Sequence, residues 1–375
     1  MKIVADDKIP FLKGVFEPFA NIDYLPGDQI KPAMLKNTDV LITRSITSCN
    51  AELLEDTLIK LIATATIGDD HIDKQFCKEK GIKWESAKGC NTNAVVQYVT
   101  TAIVELAAKE QYEPSNKTLA VIGVGNIGLK VSGVAALLGM EVLLYDPPRE
   151  RIEGSAGFAT LKDIQKKADI ISLHVPLTYG GRDRTFHLLD EEFFNGLKKP
   201  ATLINTSRGG VLDTEILKWA KSEGKISNLF LDVWENEPNI DIELLEMADI
   251  ATPHIAGYSL VGKANGTAMV VNAISDFFSL GIKNWFPEIS IDNLTVSVDC
   301  QNKSTLAVLF EIHRSVYSIQ KDSENLKLNP GKFENLRNDY NFRLENFQVD
   351  VELINSNNKL NKIISGLGFK HKKQL

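Results

Sequence analysis

A glycine motif about one third of the way along the chain constrains the fold more than any other feature. The motif runs Thr118-Leu-Ala-Val-Ile-Gly-Val-Gly-Asn-Ile-Gly128, and after a helix-like stretch the chain continues Glu141-Val-Leu-Leu-Tyr-Asp146. This order predicts a strand, a glycine turn, a helix and a second strand that ends in an acid. Gly123 permits the tight turn, Gly125 lets the backbone approach a pyrophosphate, and Gly128 lets the helix pack close to the strand.

The same stretch predicts a site for a nicotinamide dinucleotide. The N-terminus of the helix offers unpaired N–H donors to the phosphates, and Asp146 lies where an acid would hold the adenosine ribose hydroxyls. Because a carboxylate there repels a 2′-phosphate, NAD is favoured over NADP. Arg149 and Arg151 follow closely in the sequence, which keeps NADP as an alternative.

The composition fits a globular enzyme of two or three domains. Hydrophobic residues make up 43% of the 375 residues, enough for several cores. The net charge of −7 gives no electrostatic footprint for nucleic acid, which calls for a clustered basic face. The apolar runs fall short of the roughly 18 residues of a membrane span, and the N-terminus lacks the apolar region of a signal peptide, so we expect a cytoplasmic protein. Four scattered cysteines predict neither disulfides nor a metal site.

Apolar runs alternate with helical stretches along most of the chain. Buried strands are predicted in the N-terminal third at residues 2–5, 40–43 and 60–64, and again further on at 119–122, 142–145, 170–173, 202–204 and 229–232. Two long helical patterns, one after Asn93 and one over about 261–280, are expected to carry the chain between two parallel α/β units. After Pro287 the pattern changes to a small α+β appendage.

Three kinds of side chain that a dehydrogenation needs follow the later strands. Arg208 lies just past a strand between small residues, where a guanidinium can form a bidentate pair with a carboxylate. His254 follows a proline, and an imidazole exchanges protons near neutral pH. The segment 231–238 supplies carboxylates. Each of these groups also has a purely structural interpretation. Arg208 could be a surface arginine in a turn, His254 a structural histidine whose hydrogen bonds are satisfied, and 231–238 a solvated loop. We assign structural roles to the other five histidines, His71, His174, His187, His313 and His371.

Four motifs in this order resemble the NAD-dependent D-2-hydroxyacid dehydrogenases. They are Gly123-x-Gly-x-x-Gly128, Asn205-Thr-Ser-Arg-Gly-Gly210, Leu231-Asp-Val-Trp-Glu-x-Glu-Pro238 and Thr252-Pro-His254. Further stretches, above all 249–267, narrow the resemblance to the branch that oxidises 4-phospho-D-erythronate in vitamin B6 biosynthesis. The resemblance has specific motifs up to about Leu280. It continues more weakly into the C-terminal appendage, where 333–337 and Tyr340 look similar to a dimerisation domain.

The resemblance implies a role for each residue that matches. Arg208 would orient the substrate, His254 would give and take the proton, and Glu237 would be the carboxylate partner of the histidine. Substrate contacts are implied for Ser45, Thr66 and Tyr258. An NAD site is implied that is lined by Gly123, Gly125, Asn126, Ile127, Gly128, Asp146, Val175, Thr206, Ser207, Asp232 and Gly257.

Pattern and resemblance together predict an α/β fold with two Rossmann-like, doubly wound parallel-sheet domains and a small C-terminal α+β dimerisation domain. The expected divisions are a discontinuous substrate-binding lid domain (1–93 plus 256–285), an NAD-binding domain (94–255) and the C-terminal domain (286–375). Because so small a domain buries proportionally little surface, we expect it to form a homodimer.

A phosphorylated substrate needs several donors for its phosphate. Arg44, Ser45 and Tyr258 are candidates, and Arg337 or Arg343 could reach in from a partner subunit. D-3-phosphoglycerate or another D-2-hydroxy acid is an alternative substrate. An alternative of a different class is an NAD(H)-sensing interaction protein built on the same fold.

Overall fold

The structure, a computed structural model, describes residues 1–290 and 294–372. Contacts divide the chain into two compact units. The first comprises Met1–Asn91 and Ser259–Ser290, and the second comprises Thr92–Tyr258 and the described residues from 294 onward. Within the described residues, no helix is both long enough and apolar enough to cross a membrane.

The first unit is built on a parallel sheet. Its strands are β1 (Lys2–Asp6), β2 (Asn21–Leu25), β3 (Val40–Thr43), β4 (Leu61–Thr64) and β5 (Lys83–Ser86), and its helices up to this point are α1 (Pro32–Leu35), α2 (Ala51–Leu54) and α3 (Lys74–Lys80). The strands pair in parallel in the order β2-β1-β3-β4-β5. The central strands β3 and β4 are buried throughout, as expected where helices cover both faces of a parallel sheet.

The second unit begins with the long helix α4 (Thr92–Glu110). Its larger sheet contains β6 (Thr118–Ile122), β7 (Glu141–Tyr145), β8 (Ile170–Leu173), β9 (Ala201–Asn205), β10 (Ile226–Leu231) and β11 (Ile250–Ala251). The helices between them are α5 (Asn126–Leu137), α6 (Pro147–Glu153), α7 (Leu161–Lys167), α8 (Glu191–Gly196), α9 (Thr214–Ser222) and α10 (Ile242–Met247).

The strand order in this sheet fixes where a ligand can bind. The order is β11-β10-β9-β8-β6-β7, with every pair parallel. The chain winds outward in one direction from β6 to β7 and in the other from β8 to β11. In such sheets ligands bind outside the carboxyl ends of the strands, where the winding reverses. Here the reversal lies between β6 and β8, directly beside the glycine turn.

Helix α11 (Leu260–Phe278) returns the chain to the first unit. Ser259 caps its start by accepting the N–H of Gly262 at 2.9 Å. Val270 and Ile274 pack into the hydrophobic core formed by β1, β3 and β4. A Cβ at Gly266 would lie 2.9 Å from the carbonyl oxygen of Ala65, so a glycine lets this helix approach the sheet closely.

The C-terminal residues add a small parallel sheet to the second unit. Its elements are β12 (Leu294–Asp299), α12 (Thr305–Val316), α13 (Ile319–Leu328), α14 (Phe333–Asn338), β13 (Val349–Ile354), α15 (Asn358–Gly366) and β14 (Lys370–Lys372), with strand order β12-β13-β14. Residues of α12, such as Val308 and Ile312, share one hydrophobic core with Tyr98 and Val99 of α4. The contacts therefore group this segment with residues 92–258. The predicted α/β class and the two Rossmann-like parallel sheets are confirmed.

Candidate active site

The three glycines of the motif differ in what surrounds them. Gly123 has a φ of +87°, and a Cβ there would lie 2.7 Å from the backbone of His174. A Cβ at Gly128 would lie 1.9 Å from the carbonyl oxygen of Gly123, whereas a Cβ at Gly125 would meet no atom within 4 Å. The packing of the protein itself therefore requires the first and third glycines. The space beside Gly125 is open to a ligand, as a pyrophosphate site requires.

Asp146 ends β7 next to this turn. Its carboxylate accepts the N–H of Val124 at 2.8 Å and the N–H of Arg149 at 3.0 Å, and the second bond caps the start of α6. These two bonds hold the acid against the glycine turn. The position fits the role of an acceptor for ribose hydroxyls.

Both arginines that could favour NADP are paired with carboxylates. Arg149 donates to the two oxygens of Glu153 at 2.6 and 2.8 Å and to the carbonyl of Val124. Arg151 pairs with Asp183. The carboxylates offset part of the attraction that these two guanidinium groups could offer to a 2′-phosphate, which agrees with the expected preference for NAD.

The loop after β9 is ordered by its own side chains. The amide oxygen of Asn205 accepts the N–H and the hydroxyl of Ser207 at 3.0 and 2.8 Å, and its nitrogen donates to the carbonyl of Arg208. The hydroxyl of Thr206 is buried without a hydrogen-bond partner among the described residues. Such a group costs free energy until a partner satisfies it, so Thr206 fits a position that a bound cofactor completes.

Arg208 is held near the loop that follows β10. Its Nη1 donates to the carbonyl of Ser207 at 2.7 Å. The next residue, Gly209, lies so close to that loop that a Cβ would be 1.9 Å from the backbone of Trp234. A residue with a side chain at position 209 would push apart the two loops that carry the candidate arginine and the candidate carboxylate.

His254 and Glu237 form a hydrogen-bonded pair. Nδ1 of His254 lies 2.7 Å from Oε2 of Glu237, and the other oxygen of Glu237 accepts the N–H of Trp234 at 2.9 Å. The N–H of His254 donates to the carbonyl of Asp232, and the histidine has a φ of +58°. Its side chain is 27% exposed. Nε2 has no hydrogen-bond partner in the described part of the chain, so this nitrogen can exchange a proton with a ligand.

The charge state of Glu237 follows from its surroundings. Burial is the largest single influence and raises the pKa of this carboxyl, but the charge and hydrogen bond of His254, the charge of Arg337 and the Trp234 N–H together lower it by more. The pKa of Glu237 therefore lies below its ordinary value. An ionised carboxylate at Nδ1 holds the ring in one tautomer and stabilises the protonated imidazole.

Asp232 supports the loop that carries His254. Its buried carboxylate accepts the hydroxyl of Thr252 at 2.6 Å and the N–H groups of Ile255 and Ala256 at 2.8 and 2.9 Å. Thr252 is in turn hydrogen-bonded to Tyr98 at 2.7 Å. Burial raises the pKa of Asp232, and the hydrogen bonds and the charge of His254 only partly offset this. The sequence indicated Asp232 but gave no sign of the supporting roles of Tyr98 and Thr252.

Tyr258 lies at the end of the same loop. Its ring packs against Tyr340 and Phe342, with ring centroids 6.2 and 6.4 Å away. Its hydroxyl accepts a hydrogen bond from Nε of Arg337 at 3.2 Å, and Nη1 of the same arginine lies 3.8 Å from Oε2 of Glu237.

The expectation that Arg337 or Arg343 would reach in from a partner subunit is wrong for both residues. Arg337 lies beside Glu237 of its own chain. Arg343 is buried and donates to backbone carbonyls of its own chain, at 2.9 Å to Ala94 and Ile255, and also to Ala256. Spacing alone could not reveal this, because these arginines lie far along the chain from the loop that they contact.

The remaining predicted residues fall into two groups. Val175, after β8, is partly buried and packs against the core of the second unit, and Gly257 lies in the loop of His254. Ser45 and Thr66 follow β3 and β4 in the first unit, where the hydroxyl of Thr66 lies 2.8 Å from that of Thr64. The second unit therefore holds the predicted catalytic and NAD-binding residues, and the first holds two of the three predicted substrate contacts.

Comparison with protein families finds one match over the middle of the chain. Residues 91–256 match the family described as "D-isomer specific 2-hydroxyacid dehydrogenase, NAD binding domain". This range begins just before α4 and includes the glycine turn, Arg208, Glu237 and His254.

Curated relatives match over nearly their whole length. A protein of Bacteroides fragilis named erythronate-4-phosphate dehydrogenase is 44% identical over 347 residues, which cover 92% of this chain and 97% of that protein. A protein of the same name from Photorhabdus laumondii is 36% identical over 376 residues, covering 98% and 99%. This similarity extends beyond the family match into the C-terminal segment.

Solved structures share the fold. A D-lactate dehydrogenase from Aquifex aeolicus, solved with NAD and lactic acid, matches with a TM-score of 0.61 and 28% identity, covering 76% of this chain and 98% of its own. An NAD-dependent formate dehydrogenase from Staphylococcus aureus, solved with NAD, matches with a TM-score of 0.63 and 22% identity, covering 77% and 100%.

Proposed function

The chain belongs to the erythronate-4-phosphate dehydrogenases of the D-isomer specific 2-hydroxyacid dehydrogenase family and is an NAD-dependent oxidoreductase; we propose that it oxidises 4-phospho-D-erythronate. The product is (R)-3-hydroxy-2-oxo-4-phosphonooxybutanoate, an intermediate in the biosynthesis of pyridoxal 5′-phosphate. The observation that carries this proposal is the pair of His254 and Glu237, joined at 2.7 Å in the unit that also contains the dinucleotide turn.

In this proposal His254 is the proton acceptor. Its Nδ1 is bonded to Glu237, so Nε2 takes the proton from the 2-hydroxyl of the substrate. NAD, when bound, accepts the hydride from the same carbon. The ionised Glu237 stabilises the imidazolium that forms, and in the reverse direction the same imidazolium returns the proton to the carbonyl oxygen.

Arg208 is proposed to orient the substrate. A guanidinium forms two parallel hydrogen bonds with a carboxylate, and holding C1 in this way fixes the direction in which the C2–H bond points. Orientation of this kind converts the reaction into an effectively unimolecular step. Ser45, Thr66 and Tyr258 are proposed to make further substrate contacts.

The proposed NAD site uses the carboxyl ends of the central strands of the second unit. The phosphates are assigned to the turn at Gly125 and the N-terminus of α5, and the ribose to Asp146. The residues proposed to complete the site are Gly123, Asn126, Ile127, Gly128, Val175, Thr206, Ser207, Asp232 and Gly257.

We further propose that residues 286–375 form a homodimer interface and that the enzyme works in the cytoplasm, where NAD is available. Support for the interface comes from apolar side chains that this segment exposes, with Leu328 at 80%, Phe347 at 39% and Ile354 at 38%. A second subunit that covered these side chains would remove apolar surface from water, which favours association. Analytical ultracentrifugation of the wild type and of Phe347→Glu tests the dimer, since a charge in the interface should shift the equilibrium toward monomer.

The direct test follows NADH absorbance in both directions. Purified protein is given NAD with 4-phospho-D-erythronate, D-3-phosphoglycerate or unphosphorylated D-erythronate, and NADH with the corresponding 2-oxo acids. We expect kcat/KM for 4-phospho-D-erythronate to exceed that for D-3-phosphoglycerate at least tenfold. A protein that binds NAD but turns over no hydroxy acid in either direction would instead be the sensor of the alternative hypothesis.

A second experiment tests the assignment of Arg208. Arg208→Lys keeps the charge but removes the bidentate geometry, so kcat/KM should fall by about 10² or more while NAD binding is retained. Arg182→Lys, in an exposed loop of the same unit, is the matched control. Equal kinetics in the wild type and Arg208→Lys would remove Arg208 from the substrate site.

A further inference from the structure

A cation from the C-terminal segment lies beside the proton-transfer pair. Arg337 of α14 donates through Nε to the hydroxyl of Tyr258 at 3.2 Å. Its Nη1 lies 3.8 Å from Oε2 of Glu237, the same oxygen that is bonded to His254. The side chain of Arg337 is only 20% exposed, so solvent screens its charge weakly at this site.

The chain holds this arginine firmly in place. Phe333, at the start of α14, is buried in the core of the second unit. Arg343, a few residues after α14, ties the same segment to the loop of His254 through the backbone carbonyls of Ile255 and Ala256. The C-terminal segment is therefore part of the frame of the active site within a single chain, in addition to any role in a dimer.

We propose that Arg337 is a positioning residue for the proton transfer: its guanidinium faces the Glu237 oxygen that is bonded to His254, and its hydrogen bond sets the direction of the Tyr258 hydroxyl. This proposal rests on the dehydrogenase function proposed above. It assigns to the C-terminal segment a part in the reaction.

The charged and titratable groups around the pair fix the sign of the effect. Among the described residues, Glu237 and Asp232 are acids that interact with His254, and Arg337 is a cation that faces Glu237 and the hydroxyl of Tyr258. A guanidinium stays protonated at all accessible pH values. It therefore opposes a second positive charge on the imidazole while it favours the negative charge on Glu237.

Arg337 and Glu237 therefore have opposite effects on a positive charge at the imidazole of His254: Arg337 opposes it and Glu237 favours it. Arg337 and a protonated His254 are like charges beside one carboxylate and repel each other, whereas Glu237 attracts the protonated ring. Removing the arginine should move the acidic limb of the pH profile of the oxidation rate to higher pH. Removing the charge of Glu237 should move the same limb to lower pH. A residue that merely holds the fold together would lower the rate without moving the limb.

The experiment compares pH profiles of kcat/KM for the wild type, Arg337→Gln, Arg337→Met and Arg337→Lys. We expect the acidic limb to move up by about one pH unit in the two uncharged variants and to return toward the wild-type position with lysine. Methionine retains much of the buried stem, which protects against a folding defect. Lys332→Gln, an exposed position in the same segment, is the control and should leave the limb unchanged.

Two results would overturn the proposal. One is an unmoved limb in folded Arg337→Gln and Arg337→Met, with folding checked by NAD binding and thermal melting. The other is a rise in KM for 4-phospho-D-erythronate that is absent with unphosphorylated D-erythronate, which would make Arg337 a phosphate ligand instead.

A separate measurement keeps the inference testable if the proposed function fails. NMR titration of the His254 ring requires no substrate, and the titration should move to higher pH in Arg337→Gln whichever hydroxy acid the enzyme oxidises. Failure of the dehydrogenase assay with a shifted titration would refute only the function. Normal turnover with an unshifted titration would refute only the role of Arg337.

Discussion

In the second unit, two histidines are each hydrogen-bonded to a glutamate at nearly the same distance. The two pairs differ in what the second ring nitrogen of each histidine contacts. Nε2 of His187 lies 2.8 Å from Glu235, and Nδ1 of His254 lies 2.7 Å from Glu237. The remaining nitrogen of His187 is 3.3 Å from Asp213. The remaining nitrogen of His254 has no hydrogen-bond partner among residues 1–290 and 294–372.

The two carboxylates also differ in what else they bind. The second oxygen of Glu235 accepts both the N–H and the hydroxyl of Thr214, at 2.8 and 2.7 Å, and so supports the start of α9. The second oxygen of Glu237 accepts one backbone N–H. Glu235 therefore mainly stabilises the start of α9, whereas Glu237 mainly holds the ring of His254.

His187 joins two loops at the carboxyl edge of the sheet. Its ring stacks on Phe186 at 3.8 Å, its φ is +50°, and its N–H donates to the carbonyl of Gly210 in the loop of Arg208. A carboxylate next to a histidine is thus not enough to mark a base. A ring nitrogen that remains available to a ligand is the distinguishing feature.

The largest difference between the pairs should appear in turnover. Replacing His254 by alanine removes the proposed base, so kcat should fall by about 10² to 10⁴, the usual contribution of general acid–base catalysis. NAD binding, measured by NADH fluorescence titration, should change little. His187→Ala, the matched variant, should keep kcat within about tenfold; equal losses in the two variants would show that the comparison is mistaken.

The second difference should appear in the pH dependence. In Glu237→Gln an uncharged amide replaces the carboxylate that favours imidazolium, so the acidic limb of the oxidation rate should move to lower pH by about one unit. The profile of kcat/KM between pH 5 and 9 measures this. Glu235→Gln should leave the limb in place, and a shift of similar size there would mean that both pairs tune the reaction.

The third difference should appear in thermal stability. Here the substitution of Glu235 should have the larger effect and that of Glu237 the smaller. Glu235→Gln weakens the hydrogen bonds from Thr214 at the start of α9, and we expect a loss of about 1 kcal/mol in the free energy of unfolding, typical of a lost hydrogen bond. Calorimetric melting measures it. Glu237→Gln, which affects no helix start, should cost less, and a larger loss there would assign Glu237 a structural role as well.

The smallest effect concerns stability in acid. The pKa of Glu237 is lowered from its ordinary value of 4.5 in the folded protein. The stability that its ionisation contributes is therefore fully present above pH 4.5 and is lost as the pH falls through the lower, folded value. Urea unfolding at pH 7 and near pH 4 should show a smaller pH effect in Glu237→Gln than in the wild type. Identical pH effects would contradict the lowered pKa.

The buried strands could be predicted from the sequence because a strand covered on both faces appears as a short apolar run. β3, β4, β6 and β8 were found in this way. The edge strand β2 and the edge strand β5 were missed, since each alternates polar with apolar residues and leaves side chains exposed. β7, also at the edge of its sheet, was predicted because residues 142–145 are apolar; a polar edge strand is recognised only by its pairing partner, which lies elsewhere in the chain.

The site was predictable to the extent that its parts are local motifs. The glycine turn and the acid of Asp146 are joined by one βαβ unit, so their spacing determines their geometry. Arg337 reaches Tyr258 across 79 residues, and no local pattern indicates that contact. From the sequence, Arg337 was therefore only one of two arginines considered as candidates to reach in from a partner subunit.

What the sequence alone determined is the class of fold, the dinucleotide turn and, through a family resemblance, the identity of the reacting side chains, because these depend on neighbours in the chain. Tertiary structure decided which histidine keeps a nitrogen available, which arginine faces Glu237, and which acid supports the fold. Those outcomes depend on distances between segments far apart in sequence, and such distances are set only when the hydrophobic cores pack.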